Sequence, residues 1–336
     1  MFMTGCEQSR LTATRRSALR GLFGAALAGA VLTAGGAAAQ GERPIKFILP
    51  VATASGVDTI TRAAAPALGK ALGGPIVIEN QPGAGGIVGT MALVKAPPDG
   101  MTLSIVSNNH VIYPSVYKSV PFDPVADITP IAVIGSTPIV VLVNPKVPAK
   151  SAQELIALMK AKPDELNYGS SGNGTILHLA AAMFVDQAGA KARHIPYKGV
   201  GPMLTDLLGG QIDFATSSLP SVQQHIRSGT LRAIGVGSAA RLAAAPEIPT
   251  MVEQGMPNYL VEGWFAIIGP AKLPVAEVNR INAAVAAAFA TPEVREAMAK
   301  QGNTIHVSTP EYAAQYFRSE LTKYAAIVKA VGLEPQ

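Results

Sequence analysis

Five short loops carry most of the residues able to do chemistry in this chain. They are VATASGVD (51–58), SNNH (107–110), YGSSGNGT (168–175), PYKGVG (196–201) and TSS (216–218). Each follows an apolar run, leads toward a helical pattern and is built largely from Ser, Thr, Asn and Gly. The first-turn N–H groups of a helix have no intrahelical partner and carry partial positive charge. Glycine lets a ligand approach that backbone and the hydroxyls add donors, so the chemistry on offer is capture of an anion without arginine. Ordinary caps and turns would explain any one loop; five together point to a binding surface. The candidate contacts are Thr53 and Ser55; Asn108, Asn109 and His110; Ser170, Ser171, Gly174 and Thr175; and Ser217. His110, just past a strand end in a loop, reads either as lining the site or as structural.

Catalytic patterns are incomplete. GSSGN (169–173) resembles a serine-hydrolase elbow around Ser171, but Asn173 stands where the final glycine belongs. Ser115 and Lys118 have Ser-x-x-Lys spacing without the companion motifs. PGAGGIVG (82–89) has Gly83 and Gly85 in place for a dinucleotide fingerprint, yet Val88 occupies the third glycine position. The histidines, at 110, 178, 194, 225 and 306, show no metal-ligand spacing. Cys6 is the only cysteine, which excludes a disulfide framework and a thiolate zinc cluster within the chain. No cofactor or metal is expected. The rival to capture is an exported hydrolase using Ser171 or Ser115 with His178 or His194 as base.

The elements that must position these loops alternate. Strands are expected at 45–49, 76–79, 101–107, 166–169, 192–197, 211–217 and 231–237, with helices between them. An irregular loop is expected after 107, and a capping box of Ser151 and Glu154 opens a helix over 152–162. From Pro274 to about Val331 the pattern is helical. This alternation implies an α/β fold of open, mostly parallel sheets flanked by helices, whose ligands bind at the carboxyl ends of strands. Two apolar runs, 131–145 and 262–270, are unusually long. Either each crosses between two lobes, or each is two ordinary strands with a tight turn. Asp58 and Asp213 read as caps or turn residues, and Trp264 as buried in the second run.

With 336 residues, 49% apolar and 15% charged, the chain is long enough for two packed units and is not a disordered sequence. Aromatics are 5%, which weakens any reading that stacks nucleic-acid bases. Residues 1–39 read as a cleaved export signal: Arg10, Arg15, Arg16 and Arg20, then the apolar GLFGAALAGAVLTAGG, then Ala37–Ala39. TRRSALR fits a twin-arginine signal or a Sec signal that happens to hold two arginines. Cleavage before Gln40 leaves 297 residues without cysteine. It also removes four basic and one acidic residue, so the net charge falls from +5 to +2. Nucleic acid is then an unsuitable partner, and a soluble periplasmic protein is expected.

ENQPGAGG (79–86), APPDG (96–100), NYGSSGNGT (167–175), IPYKGVGP (195–202), DLLGGQID (206–213), LRAIGV (231–236) and IPTMVEQGMP (248–257) occur in this order. Together they resemble the tripartite tricarboxylate transporter receptors, the Bug-type solute receptors, over essentially the whole mature chain. The resemblance implies a periplasmic type II binding protein of two lobes joined by two crossover strands, residues 40–141 plus 256–336 enclosing an inserted 142–255. It implies capture of a small carboxylate between the lobes by hinge closure, and no enzymatic activity. The partners would be membrane subunits of a tripartite transporter, or a sensor partner, with the receptor itself a monomer. Ser170, Ser171, Gly174 and Thr175 match the family's carboxylate contacts. The loop after the first strand departs from the usual Phe-Pro-Ala-Gly-Gly: Thr53 and Ser55 stand in it, with Gly56 and Asp58 retained. Ser217 and Ser218 stand where relatives often carry an acid, which disfavours amino-acid ligands. Two ligand classes remain: aliphatic di- or tricarboxylates, and aromatic carboxylates such as terephthalate.

Overall fold

The computed structural model describes residues 43–335, and all the elements belong to a unit that begins at Pro44. The proposed signal, its cleavage point before Gln40 and Cys6 lie outside the described residues. The strands, numbered in chain order, are β1 (Ile45–Leu49), β2 (Ile76–Asn80), β3 (Thr102–Ser107), β4 (Ile128–Val143), β5 (Asn167–Ser170), β6 (Arg193–Pro196), β7 (Phe214–Ser218), β8 (Arg232–Val236), β9 (Glu262–Pro270) and β10 (Thr304–Ile305). They form a sheet in the order β2-β1-β3-β9-β4-β7-β5-β6, with β10 and β8 also paired to β4. The short pairings β1–β2, β1–β3, β5–β6 and β5–β7 are parallel. The pairings made by β4 and β9 are antiparallel.

Each long apolar run is one strand. The first 11 residues of β4, Ile128–Pro138, pair with β9; from Ile139 to Val143 the same strand runs between β7 and β8. Gly135 and Pro138 do not break it. A Cβ at Gly135 would strike the Thr304 carbonyl, so glycine lets β10 come in close. Pro138 sits where β4 exchanges one partner strand for the next, where a missing N–H is best tolerated. One apolar cluster gathers Phe47, Ile60, Leu68, Ile105 and Ile267; another gathers Leu142, Leu155, Phe184, Leu207 and Phe214. The helices that cover the sheet bury 3.6-period faces against it.

Three local expectations change. The stretch after β3 is a helix, Asn109–Val116, with Pro114 inside it. Burial of Val111, Ile112, Tyr113 and Val116 against the rest of the fold holds this stretch helical in spite of Pro114. The C-terminal part is three helices, Val275–Ala290, Pro292–Lys300 and Pro310–Ala330, interrupted by β10. Ser151 does accept from the Glu154 amide (3.2 Å), but the Glu154 carboxylate reaches the amide of Lys150 (2.6 Å), one residue beyond a capping box.

Candidate functional site

The carboxyl ends of β1 and β5 and the turns that follow them open onto one cleft of about 550 Å³. Three helices begin at it. Ser55 caps Gly56–Leu72, Thr175 caps Ile176–Gln187, and Gly199 precedes Val200–Gly209. Ser55 Oγ accepts from the Asp58 amide at 3.2 Å, which leaves the hydroxyl proton for an acceptor in the cleft. Thr175 Oγ1 accepts from His178 N (3.3 Å) and from Ser171 Oγ (3.1 Å), and donates to the Gly172 carbonyl (2.9 Å). These bonds fix the conformation of the 171–175 loop, which lines the cleft. The Asn109 carboxamide oxygen holds the amide of Ile176 (2.8 Å). The 51–55 loop is tied down by Ser221, whose Oγ donates to the Ala54 carbonyl at 2.9 Å.

The far wall is the 83–86 turn. Gly86 has φ +126°, and a Cβ there would strike the Tyr113 hydroxyl and the Pro50 carbonyl. Only glycine permits that approach. Among the lining residues Lys198 is the one formal charge, and its side chain is exposed. A smaller inner recess of about 70 Å³ shares Val51, Ser55, Asn109, Ser171 and Val200 with the cleft and has no charged residue in its lining. Its far side is β4 and β9, through Thr137, Ile139 and Phe265. The electrostatics of the site therefore come from aligned peptide dipoles, each helix presenting about half a positive charge at its start.

The ten sequence candidates divide. Ser55, Asn109, Ser171 and Thr175 line the cleft, and Asn108 lines the inner recess. Asn108 is also a fastener: its carboxamide accepts from Trp264 N (2.8 Å) and donates to Tyr324 Oη (2.5 Å). Thr53 is exposed and lines neither space. His110 is 1% exposed, its Nε2 lies 2.7 Å from the Pro124 carbonyl, and burial pulls its pKa down to about 4. Gly174 packs on Val116 beneath the loop, and its amide donates to His178 Nδ1 at 3.1 Å.

Ser170 is fully buried, 2.7 Å from His194 Nε2. His194 stacks on His178 at 3.7 Å between ring centroids. Burial lowers His178 to about 4, and burial plus its neighbour lowers His194 to about 3, so neither is a useful base near neutrality. Ser217 is buried on the opposite face of β7; the neighbouring Ser218 lines the recess. Successive strand residues alternate faces, so a shift of one residue moves the side chain across the sheet. Asp58 is structural: burial would raise its carboxyl, but bonds from Arg62, Asn80 and the Ala54 amide outweigh that and hold it low. Asp213 accepts from the Asn167 amide at 2.7 Å.

A family model described as the tripartite tricarboxylate transporter family receptor matches residues 60–333. The chain belongs to that receptor family. It is 35% identical over 292 residues to protein BugT of Bordetella pertussis, covering 86% of this chain and 90% of that one. The structure of the periplasmic binding protein BugD superposes with a TM-score of 0.84 at 29% identity, over 88% of this chain and 99% of BugD. A Rhodopseudomonas palustris protein with adipate gives 0.84 at 28% identity, over 88% and 99%. MatC from the same organism, with bound malate, gives 0.81 at 26% identity, over 85% and 99%.

This receptor is thus a periplasmic-type solute-binding protein and not an enzyme, with the mixed α/β fold of its relatives, a central sheet flanked by helices. Its family works with membrane transporter subunits. Among the described residues no helix is long and apolar enough to cross a membrane. The PYKGVG loop, marked by its sequence, does reach the cleft, through Lys198, Gly199 and Val200. Tyr117 and Thr137 escape sequence reasoning, because they sit in an unmarked helix end and mid-strand and carry no local signal.

Proposed function

We propose that this receptor captures a small organic carboxylate between two lobes, residues 40–141 with 256–336 and the inserted 142–255, and passes it to a tripartite tricarboxylate-type transporter in the membrane. Export through the 1–39 signal and action as a monomer complete the reading. The observation that carries it is the meeting of three helix starts, at Ser55, Thr175 and Gly199, on a cleft whose lining holds one cation, the exposed Lys198. A carboxylate entering there exchanges water for backbone N–H groups and the Ser55 hydroxyl, in charge-assisted bonds about twice as strong as neutral ones. Closure of one lobe on the other would then seal it.

Adipate in one relative and malate in another support carboxylates as the class. The lining contains no Asp or Glu, so an ammonium group would find no counter-charge, and amino acids are disfavoured. Di- and tricarboxylates and aromatic carboxylates such as terephthalate remain the two candidate classes. Thermal shift of protein starting at Gln40, refolded to strip co-purified ligand, tests this against both classes and amino acids. Ligand at about a hundred times its Kd should stabilise the fold by about 2.7 kcal/mol. A shift with amino acids alone, or none with any carboxylate, would overturn the reading.

A further inference from the structure

We infer that the inner recess is a specificity subsite for an uncharged hydroxyl or carbonyl oxygen of the ligand, with Thr137 as its hydrogen-bonding partner. The inference rests on the carboxylate reading above and adds the part of the ligand that the helix starts do not explain.

Thr137 lies on β4 opposite Gly263 of β9. It is 8% exposed and lines the recess, and no group among the described residues is within hydrogen-bond reach of its Oγ1. A buried hydroxyl left in this state is uncommon, because it loses water and gains nothing. Valine has the same shape and a stronger place in strands, so packing alone gives no reason for the oxygen. Two other polar side chains of the inner wall are committed. Asn108 holds Trp264, Glu262 and Tyr324, and Ser218 Oγ lies 2.9 Å from Ser221 Oγ. Of the side chains lining the recess, Thr137 is the one whose polar atom is buried without a partner.

The walls define what that partner can be. No Asp, Glu, Lys, Arg or His lines the recess; Ile60, Ile139, Leu177 and Phe265 do. A carboxylate pushed into it would shed hydration without a counter-charge, whereas a hydroxyl or carbonyl needs one bond. The space, about 70 Å³, exceeds the ~10–15 Å³ one water requires, and takes a substituent of a few heavy atoms. Gly263, also in the lining, leaves room beside Thr137: a Cβ there would lie 2.7 Å from Thr137 Cγ2 and 3.8 Å from Asn108 Oδ1. The carboxylate therefore stays at the helix starts, and the ligand's neutral oxygen reaches Thr137.

Calorimetric titration of wild type, Thr137→Val and Thr137→Ser with two matched pairs, malate against succinate and 4-hydroxybenzoate against benzoate, tests this. Wild type should prefer the hydroxylated member of a pair. Thr137→Val should reduce that preference about tenfold, the effect of one lost hydrogen bond, and Thr137→Ser should retain it. Unliganded Thr137→Val should melt no lower than wild type, since the unliganded fold makes no bond to this oxygen. Equal binding of both members by wild type, an unchanged preference in Thr137→Val, or a lower melting temperature for the unliganded variant would each overturn the subsite. If wild type binds neither these acids nor any other carboxylate, the capture reading itself falls and takes the subsite with it.

Discussion

Stability should decline steeply between pH 7 and pH 5, and two buried imidazoles set the size of the effect. His178 and His110 are 5% and 1% exposed, and burial lowers both from 6.5 to about 4. In the unfolded chain each binds a proton as the pH passes below 6.5; in the fold each stays neutral until about 4. The unfolded state therefore holds more protons across this window, and stability is full above pH 6.5 and lost as the pH falls toward 4. At pH 5 each such histidine has cost about 2 kcal/mol, a value that changes little with the folded pKa provided it lies well below 5. The pair removes about 4 kcal/mol, and His194, partly exposed, adds a smaller amount in the same direction. That corresponds to a fall of roughly 6 °C in Tm for a protein of this size. The carboxylates held low by their partners, such as Asp58, lose their contribution only below this window. Thermal unfolding monitored by circular dichroism at pH 7 and 5 reads the effect. His178→Asn should flatten the decline by about 2 kcal/mol. Equal Tm at both pH values, or a decline as steep in His178→Asn as in wild type, would refute the argument.

Gly86→Ala places a methyl against Tyr113 and the Pro50 carbonyl at a positive φ, and should destabilise by roughly 2–4 kcal/mol in denaturant titration while abolishing carboxylate binding. Thr175→Val removes the cap of the Ile176–Gln187 helix; a loss of about 1 kcal/mol in stability is expected, with weaker binding in the calorimeter. Lys198→Met should slow association and flatten its salt dependence in stopped-flow measurements, with a change in Kd of roughly fivefold or less, because the charge is exposed. Trp264 is the only tryptophan and borders the inner recess, so intrinsic fluorescence should change on ligand binding and saturate with the calorimetric Kd.

Much of this molecule is legible in its sequence. The strand–helix alternation locates β1, β2, β3 and β5 to within a residue or two. The polar loops after strands point to Ser55, Ser171 and Thr175, because the cap residue that starts a helix is also the residue that faces an anion. Family motifs spread over seven segments identify the receptor class. These are local signals, set by propensity, capping and turn chemistry within a few positions. Contacts between distant segments leave no such local trace. Nothing near 131–145 tells whether it is one strand or two; that depends on β7, β8, β9 and β10 pairing along it. Ser217 and Ser218 are chemically alike, and only the pleat of β7 against Ile139 and Val140 sends one away from the recess and the other into it. His110 looks available beside two asparagines until the packing of Phe122 and Phe317 around it buries the ring. Thr137 carries no signal at all. A threonine in a β-branched run is ordinary, and its hydroxyl gains meaning only when β9 and the helix starts enclose it without offering a partner.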